Sequence, residues 1–285
     1  MELEIKGVSG CKLEISNLKI CKTSSNLEYN ERLKLQFQKQ SLFSKISISN
    51  IRVPNILGSG EKENLFYFDM EYILGKNPIS YLLECDINDI NIFYNNIEKF
   101  INFLEKNIIN DDISIFKEKN IDKLNSLSLE EYSNFINFII KFIENIENKT
   151  YPKTICHGDL TLSNIICNEN EIYLIDFLDS YIDSIYIDLA KLKQDLYHKW
   201  TLHIFFNLDN NENVRINQIL DNIWLKIENK FLKYLETDEF MIMEIINLLR
   251  ILPYTNYDMK IFIDKKIKKS KLYEEFNNTN GRSIN

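Results

Sequence analysis

The chain has 285 residues, 45% of them hydrophobic and 27% charged, enough apolar material for two domains or one large bilobal one and too much for a disordered chain. A net charge of −8 argues against a protein whose main work is coating nucleic acid, and seven Gly with four Pro exclude a collagen-like or Pro/Gly low-complexity chain. The five cysteines (Cys11, Cys21, Cys85, Cys156 and Cys167) are odd in number and form no CxxC pair, so free thiols are expected rather than disulfides or zinc. The first ten residues show no signal-peptide core and no stretch offers 18 uncharged apolar residues. The expectation is a soluble cytoplasmic protein.

The first third reads as strands. Leu3 and Ile5 alternate with charged residues, Gly7 to Gly10 turn the chain, and Leu13 and Ile15 alternate again. Leu18 to Lys22 makes a third strand, and the spacing of Leu33, Phe37 and Leu42 predicts a helix over Glu28 to Phe43. Two further strands are expected near Arg52–Leu57 and Leu65–Tyr72, with Gly58-Ser59-Gly60 as the hairpin turn between them. Gly75 to Ser80 reads as a linker. Helices follow at Ile90–Leu104 and Leu129–Ile146, the second opened by Ser128 and Glu131 in a capping-box spacing. Ile155 to Ile175 reads as two small strands bracketing loops. Helices then cover Ile187–Phe206, Asn213–Tyr234 and Phe240–Leu252, and the last dozen residues read as frayed. The expected fold class is α+β, with a small β-rich N-terminal lobe at 1–74 and a large, mainly helical C-terminal lobe at 75–285.

The chemistry sits in His157-Gly158-Asp159-Leu160-Thr161-Leu162-Ser163-Asn164 and in Leu174-Ile175-Asp176-Phe177. Asp159 and Asn164 lie in a polar loop after one apolar strand, and Asp176 ends a second. Two carboxylates and an amide oxygen are hard oxygen donors that suit Mg²⁺ beside phosphates. Phosphoryl transfer needs a carboxylate to orient a hydroxyl, metal ligands at the phosphates and a Lys on the anionic tail. The sequence supplies candidates for all three.

The HGDxxxxN string with ID-aromatic downstream resembles the aminoglycoside phosphotransferase/choline kinase superfamily, small-molecule relatives of protein kinases. The resemblance covers roughly Ile5 to Leu196. It implies a bilobal protein-kinase-like fold, ATP and Mg²⁺ as cofactors, Asp159 as catalytic base, and Asn164 and Asp176 as metal ligands. The third strand should supply the phosphate-binding Lys. Strand alternation puts Lys22 on the face of Leu18 and Ile20, with Ile20 toward the adenine, so Lys22 is chosen over Lys19. Aligning Leu35 to Leu42 with the family's LxxExxxL helix places Gln38 where a Glu partner of Lys22 is usual, a departure that removes a charge. Ser9 and Gly10 are expected to face phosphates through their amides. Glu71 and Ile73 are expected to meet adenine through main-chain groups.

Asp188-Leu189-Ala190 resembles the family's helix-opening D-L-A, and an N-cap role is assigned to Asp188. His157 is read as structural, and His198 and His203 as surface or packing residues. The expected function is transfer of the ATP γ-phosphate to a hydroxyl of an amino alcohol, sugar or amino sugar, in surface-polysaccharide or amino-alcohol metabolism. The alternatives are a nucleotide-binding pseudokinase or regulatory protein, and a protein kinase. The last is opposed by the absence of HRD, DFG and an APE-type segment. The expected partner is a small hydroxyl-bearing acceptor, without nucleic acid or membrane.

Overall fold

The computed structural model describes residues 3–6 and 11–281. In chain order the strands β1 (Leu3–Lys6), β2 (Cys11–Ser16) and β3 (Lys19–Ser24) lead into helix α1 (Asn30–Phe43). Strands β4 (Ile51–Arg52), β5 (Ile56–Lys62) and β6 (Leu65–Glu71) precede α2 (Pro78–Glu84) and α3 (Ile87–Lys106). After β7 (Ile109–Asp112) come α4 (Ile113–Asn125), α5 (Ser133–Glu144), β8 (Thr150–Lys153), β9 (Ile165–Asn168) and β10 (Glu171–Leu174). Helices α6 (Ile185–Leu196), α7 (Trp200–Phe205), α8 (Asn210–Leu235), α9 (Asp238–Ile251), α10 (Tyr257–Lys268) and α11 (Lys271–Gly281) finish the chain.

The chain packs as two compact units, and each is discontinuous in sequence. One comprises residues 1–103 and 157–180, the other 104–156 and 181–285. The cut thus differs from the expected 1–74 and 75–285. The reason is pairing: β4 runs parallel to β10, and β10 antiparallel to β9, so the segment after His157 is stitched to the N-terminal third.

The first unit is built on the antiparallel sheet β1-β2-β3-β6-β5. Alternation along β6 buries Phe66, Phe68 and Met70 on one face, where they meet Cys11 and α1 residue Leu33, with Ile20 and Phe37 packed alongside. Burying a side chain of that size stabilises the fold by about 1.5–3 kcal/mol. The opposite face carries Lys12, Glu14, Lys19 and Asp69, and is wet. Phe43 at the end of α1 stacks on Phe177 at 4.8 Å between centroids and on Phe100 at 6.0 Å, which ties the second strand layer to α1 and α3.

Several boundaries move. Gly58 and Gly60 lie inside β5, and the turn is Glu63-Asn64, both in left-handed backbone at φ 54° and 63°. The expected linker contains the start of α2, capped by Asn77, and Lys76 bridges Cys167 through reciprocal backbone bonds of 2.9 and 2.8 Å. Gly75 beside it must be glycine, because a Cβ there would lie 2.6 Å from the Cys167 carbonyl oxygen.

In the second unit β7 and β8 pair across the ends of the α4–α5 segment. The Ser128/Glu131 capping box does not form; residues 130–132 make a 3-10 turn and α5 starts at Ser133. Helix α6 is the centre of this unit and is buried on nearly every side. Its N-cap is Ser184, not Asp188, which is fully buried in the first turn. The expected helix 187–206 breaks after α6, where Lys199 takes φ 63° and Asp195 accepts the Thr201 amide and hydroxyl, both at 2.8 Å. The C-terminal residues read as frayed are helical through Gly281. No described helix is long and apolar enough to cross a membrane.

Candidate active site

Strand parity decides the lysine. Lys22 pairs across the sheet with Leu13 and Phe68, on the buried face, and is only 5% exposed. Lys19 lies on the other face and pairs with Asp69 at 2.9 Å. The Lys22 ammonium donates to Asp176 Oδ1 at 2.5 Å and to Gln36 Oε1 at 2.9 Å. Burial works to lower its pKa, but the Asp176 carboxylate beside it outweighs that, and the net direction is upward. Lys22 is therefore charged at neutral pH.

The helix partner is Gln36, not Gln38. Helix α1 buries Asn30, Leu33, Gln36, Gln40 and Phe43, a 3.6-residue stripe, whereas Gln38 is exposed. Gln36 is held from behind, its Nε2 donating to the Tyr29 hydroxyl at 3.2 Å, which turns its oxygen toward Lys22. The LxxE spacing fits Leu33-x-x-Gln36, a register shifted by two from the expected one. The sequence carries no apolar signal for this register, because the buried stripe from Leu33 to Phe43 runs through Gln36 and Gln40. The departure itself stands at the shifted position: the residue facing Lys22 is neutral.

The loop after β8 is shaped by His157. Its ring is fully buried, Nδ1 accepts the Asp159 amide at 3.2 Å, and Nε2–H donates to the Ile175 carbonyl at 2.9 Å. Burial pushes its pKa down to about 4, so it is neutral and serves as a scaffold. Gly158 sits at φ 88°, and a Cβ there would lie 2.6 Å from the Leu178 carbonyl oxygen. Further bonds lace this loop to the segment after β10: Leu178 N–H to His157 O at 3.0 Å, and Ile175 N–H to Asn164 O at 3.0 Å. The lacing brings Asp159, Asn164 and Asp176 into one loop system.

Within it Asn164 is oriented. Its Nδ2 donates to the Asp159 carbonyl at 2.8 Å and to Asp159 Oδ2 at 2.9 Å, which sends Oδ1 the other way. Asp176 has φ 59°, left-handed backbone that a non-glycine residue adopts at a cost of roughly 1–3 kcal/mol. Such strain is typical of a residue whose carboxylate must be aimed. A divalent cation fits this donor set: an amide oxygen and two carboxylates, all hard, with Lys22 set against one of them. Among the described residues no group of three or more His, Cys, Asp or Glu could hold a metal, so any ion here would need the Asn164 oxygen and non-protein ligands.

Of the other expected nucleotide contacts, Ile20 is half-buried against the sheet core. Glu71 ends β6, its amide donating to Asn55 O at 2.9 Å, and Ile73 follows, buried. Ser9 and Gly10 lie outside the described residues.

Comparison with known proteins bears on the segment and the fold. The sequence pattern of the phosphotransferase enzyme family matches residues 123–205, which include the whole His157–Asp176 segment. Protein LicA homolog of Mycoplasma capricolum subsp. capricolum is 24% identical over 186 residues, 61% of this chain and 71% of the relative. Among solved structures, the GDP complex of aminoglycoside 2'-phosphotransferase-IIIa superposes with a TM-score of 0.58 at 12% identity, over 98% of this chain and 93% of the other. The streptomycin–ATP complex of APH(2")-IIa gives 0.56 at 13%, over 96% and 92%. A choline/ethanolamine kinase family protein from Mesorhizobium loti gives 0.52 at 10%, over 97% and 90%. The chain thus carries a segment that matches the phosphotransferase family in sequence, and it resembles the aminoglycoside phosphotransferases and the choline/ethanolamine kinase family protein in fold, a protein-kinase-like one with a strand-rich N-terminal region and a mainly helical C-terminal part.

Proposed function

We propose that the protein is an ATP-dependent kinase of a small hydroxyl-bearing molecule, an amino alcohol, sugar or amino sugar. The observation that carries the reading is the ion pair of buried Lys22 with the part-exposed Asp176, anchored in the loop system that also orients Asp159 through Asn164. A buried, charged lysine whose partner is the carboxylate of a candidate metal ligand is placed to meet a phosphate. The neighbours bound to ATP and GDP support a nucleotide, and those bound to streptomycin or related to choline/ethanolamine kinases support a small acceptor.

In this reading Lys22 holds the α/β-phosphates, and Asn164 Oδ1 with Asp176 holds Mg²⁺. The ion would supply charge neutralisation at the phosphates. Asp159 takes the acceptor hydroxyl as a hydrogen-bond donor and accepts its proton as the oxygen attacks the γ-phosphorus, while ADP leaves. Asn164 keeps the Asp159 carboxylate turned for that role through its Nδ2 bond. Main-chain groups of Glu71 and Ile73 and the apolar side of Ile20 complete the nucleotide's surroundings.

A nucleotide-binding protein without transfer is the second reading, favoured by the neutral Gln36 at the position facing Lys22. An ADP-release screen of amino alcohols, sugars and aminoglycosides with Mg²⁺-ATP separates the two. With a substrate found, Asp159→Asn should cut turnover by about 10² or more and leave ATP affinity nearly intact. Asp176→Asn should weaken both nucleotide binding and the Mg²⁺ response, and Lys22→Ala should weaken ATP more than Lys19→Ala. Nucleotide binding with no ADP released from any acceptor would favour the second reading. Absence of ATP binding would overturn both.

A further inference from the structure

Gln36 differs in more than charge from the carboxylate that the family resemblance puts opposite the lysine. The two oxygens of a carboxylate are equivalent and only accept, whereas an amide has one accepting oxygen and one donating nitrogen. Gln36 is only 2% exposed, so its nitrogen cannot turn to water. A buried N–H left unpaired is costly, and the amide therefore needs a partner that a carboxylate would not.

Tyr29 supplies that partner. Its hydroxyl oxygen accepts from Gln36 Nε2 at 3.2 Å, while Gln36 Oε1 accepts from Lys22 at 2.9 Å. The hydroxyl is itself held in the accepting role, because its own proton goes to Cys11 Sγ. Cys11 is buried at the start of β2, and burial pushes its thiol pKa up, so the sulfur stays neutral. The hydrogen bonds thus run in one direction: Lys22 to Gln36, Gln36 to Tyr29, Tyr29 to Cys11. A reversed amide would set its N–H against the ammonium and its oxygen against a hydroxyl whose proton is engaged.

The surroundings of Tyr29 fix where that hydroxyl stands. The residue is the N-cap of α1, its amide donates to Asn26 Oδ1 at 2.9 Å, and its carbonyl accepts the Leu33 amide at 3.0 Å. The ring packs against the sheet core that holds Cys11 and Leu33, and the Arg32 guanidinium lies over it at 5.4 Å. All four members of the chain of bonds belong to the first unit. An ammonium has three donors, and Lys22 gives one to Gln36 and one to Asp176. Where Asp176 turns to a cation, Gln36 is the contact that keeps the head group in place.

We infer that Tyr29 is a positioning residue for the nucleotide: through Gln36 its hydroxyl holds the Lys22 ammonium where a phosphate oxygen meets it, a task that a carboxylate at position 36 would perform unaided. The inference rests on the nucleotide reading above.

Tyr29→Phe removes the hydroxyl and keeps the ring with its packing. ATP affinity, measured by calorimetry with Mg²⁺, should fall about fivefold in the otherwise unaltered chain, the usual net effect of one hydrogen bond. In a Gln36→Glu background the same change should move affinity by less than about twofold, because the two effects are coupled through the amide. A second arm needs no nucleotide. In protein labelled with ¹⁵N at glutamine, the side-chain amide signal that vanishes in Gln36→Glu belongs to Gln36. Its exchange with D₂O should quicken at least about tenfold in Tyr29→Phe, as the hydrogen bond that protects it is lost. Unchanged exchange would overturn the contact. Faster exchange with unchanged ATP affinity would make the contact merely structural and overturn the positioning role. Equal losses of affinity in the two backgrounds would show that Tyr29 does not act through Gln36. No ATP binding by the unaltered chain would overturn the nucleotide reading itself, and the exchange arm would still decide the contact.

Discussion

His157 is the residue that holds the candidate loop in shape, although the proposed transfer gives it no chemical role. It accepts the Asp159 amide and donates to the Ile175 carbonyl, so one neutral ring fixes both carboxylate-bearing segments. That neutrality has a measurable consequence. The folded pKa of about 4 lies below the ordinary 6.5, so between those values the unfolded chain binds the extra proton. Stability from this group is complete above pH 6.5 and is lost as pH falls toward 4, by about 1.4 kcal/mol per unit at most. Buried His198 acts in the same direction. Denaturant titrations at pH 7.5 and 5.0 should show His157→Gln less stable at pH 7.5 but with a smaller drop on acidification, by about 2 kcal/mol. An equal drop in both proteins would mean that His157 is not held neutral.

At the scale of elements, the register of α1 sets which glutamine faces Lys22. Gln36 and Gln38 are chemically identical, so their positions alone separate them: one faces Lys22, the other solvent. Gln36→Leu should weaken ATP binding several-fold, and Gln38→Leu should be neutral within about 0.5 kcal/mol, the usual size for an exposed site. A reversed order would restore the alignment of Leu35 with the family's first leucine. The same helix shows what the sequence conveys and what it withholds. Its existence and end were legible from the apolar spacing, but its register was not, because two buried glutamines carry no hydrophobic signal. The face that Lys22 occupies was legible because strand parity is strict. Asp159, Asn164 and Asp176 were legible as a motif, whereas the lacing that joins them is mostly backbone. The β5–β6 turn was hidden, since Glu63 is not a residue that advertises left-handed backbone. Gly58 and Gly60 advertised a turn where the structure has a strand, in which Gly60 lies directly across from Tyr67. Helix α4 escaped for the reason Gln36 did: its buried side includes Asn120 beside Phe116 and Leu124.

At the scale of the whole molecule, the order of the chain and the order of packing disagree. The segment 157–180 returns to complete the first unit after an excursion of more than fifty residues through the second, because β4 requires β10 as its partner. The side chains proposed to hold phosphates or metal, Lys22, Asn164 and Asp176, thereby fall in one compact unit, though they are scattered over 155 positions of sequence. A ligand seated on one unit suppresses the local openings of that unit first, and only then the global unfolding that both share. Short-time hydrogen exchange with and without Mg²⁺-ATP should therefore show new protection in β3, α1 and residues 157–180. Residues 104–156 and α8 to α11 should change little at those times. Protection appearing first in α8 to α11 would place the nucleotide on the other unit and remove Lys22 from its role. Protection spread evenly over the chain at short times would mean that the two units open as one, and the contact division would then have no dynamic counterpart.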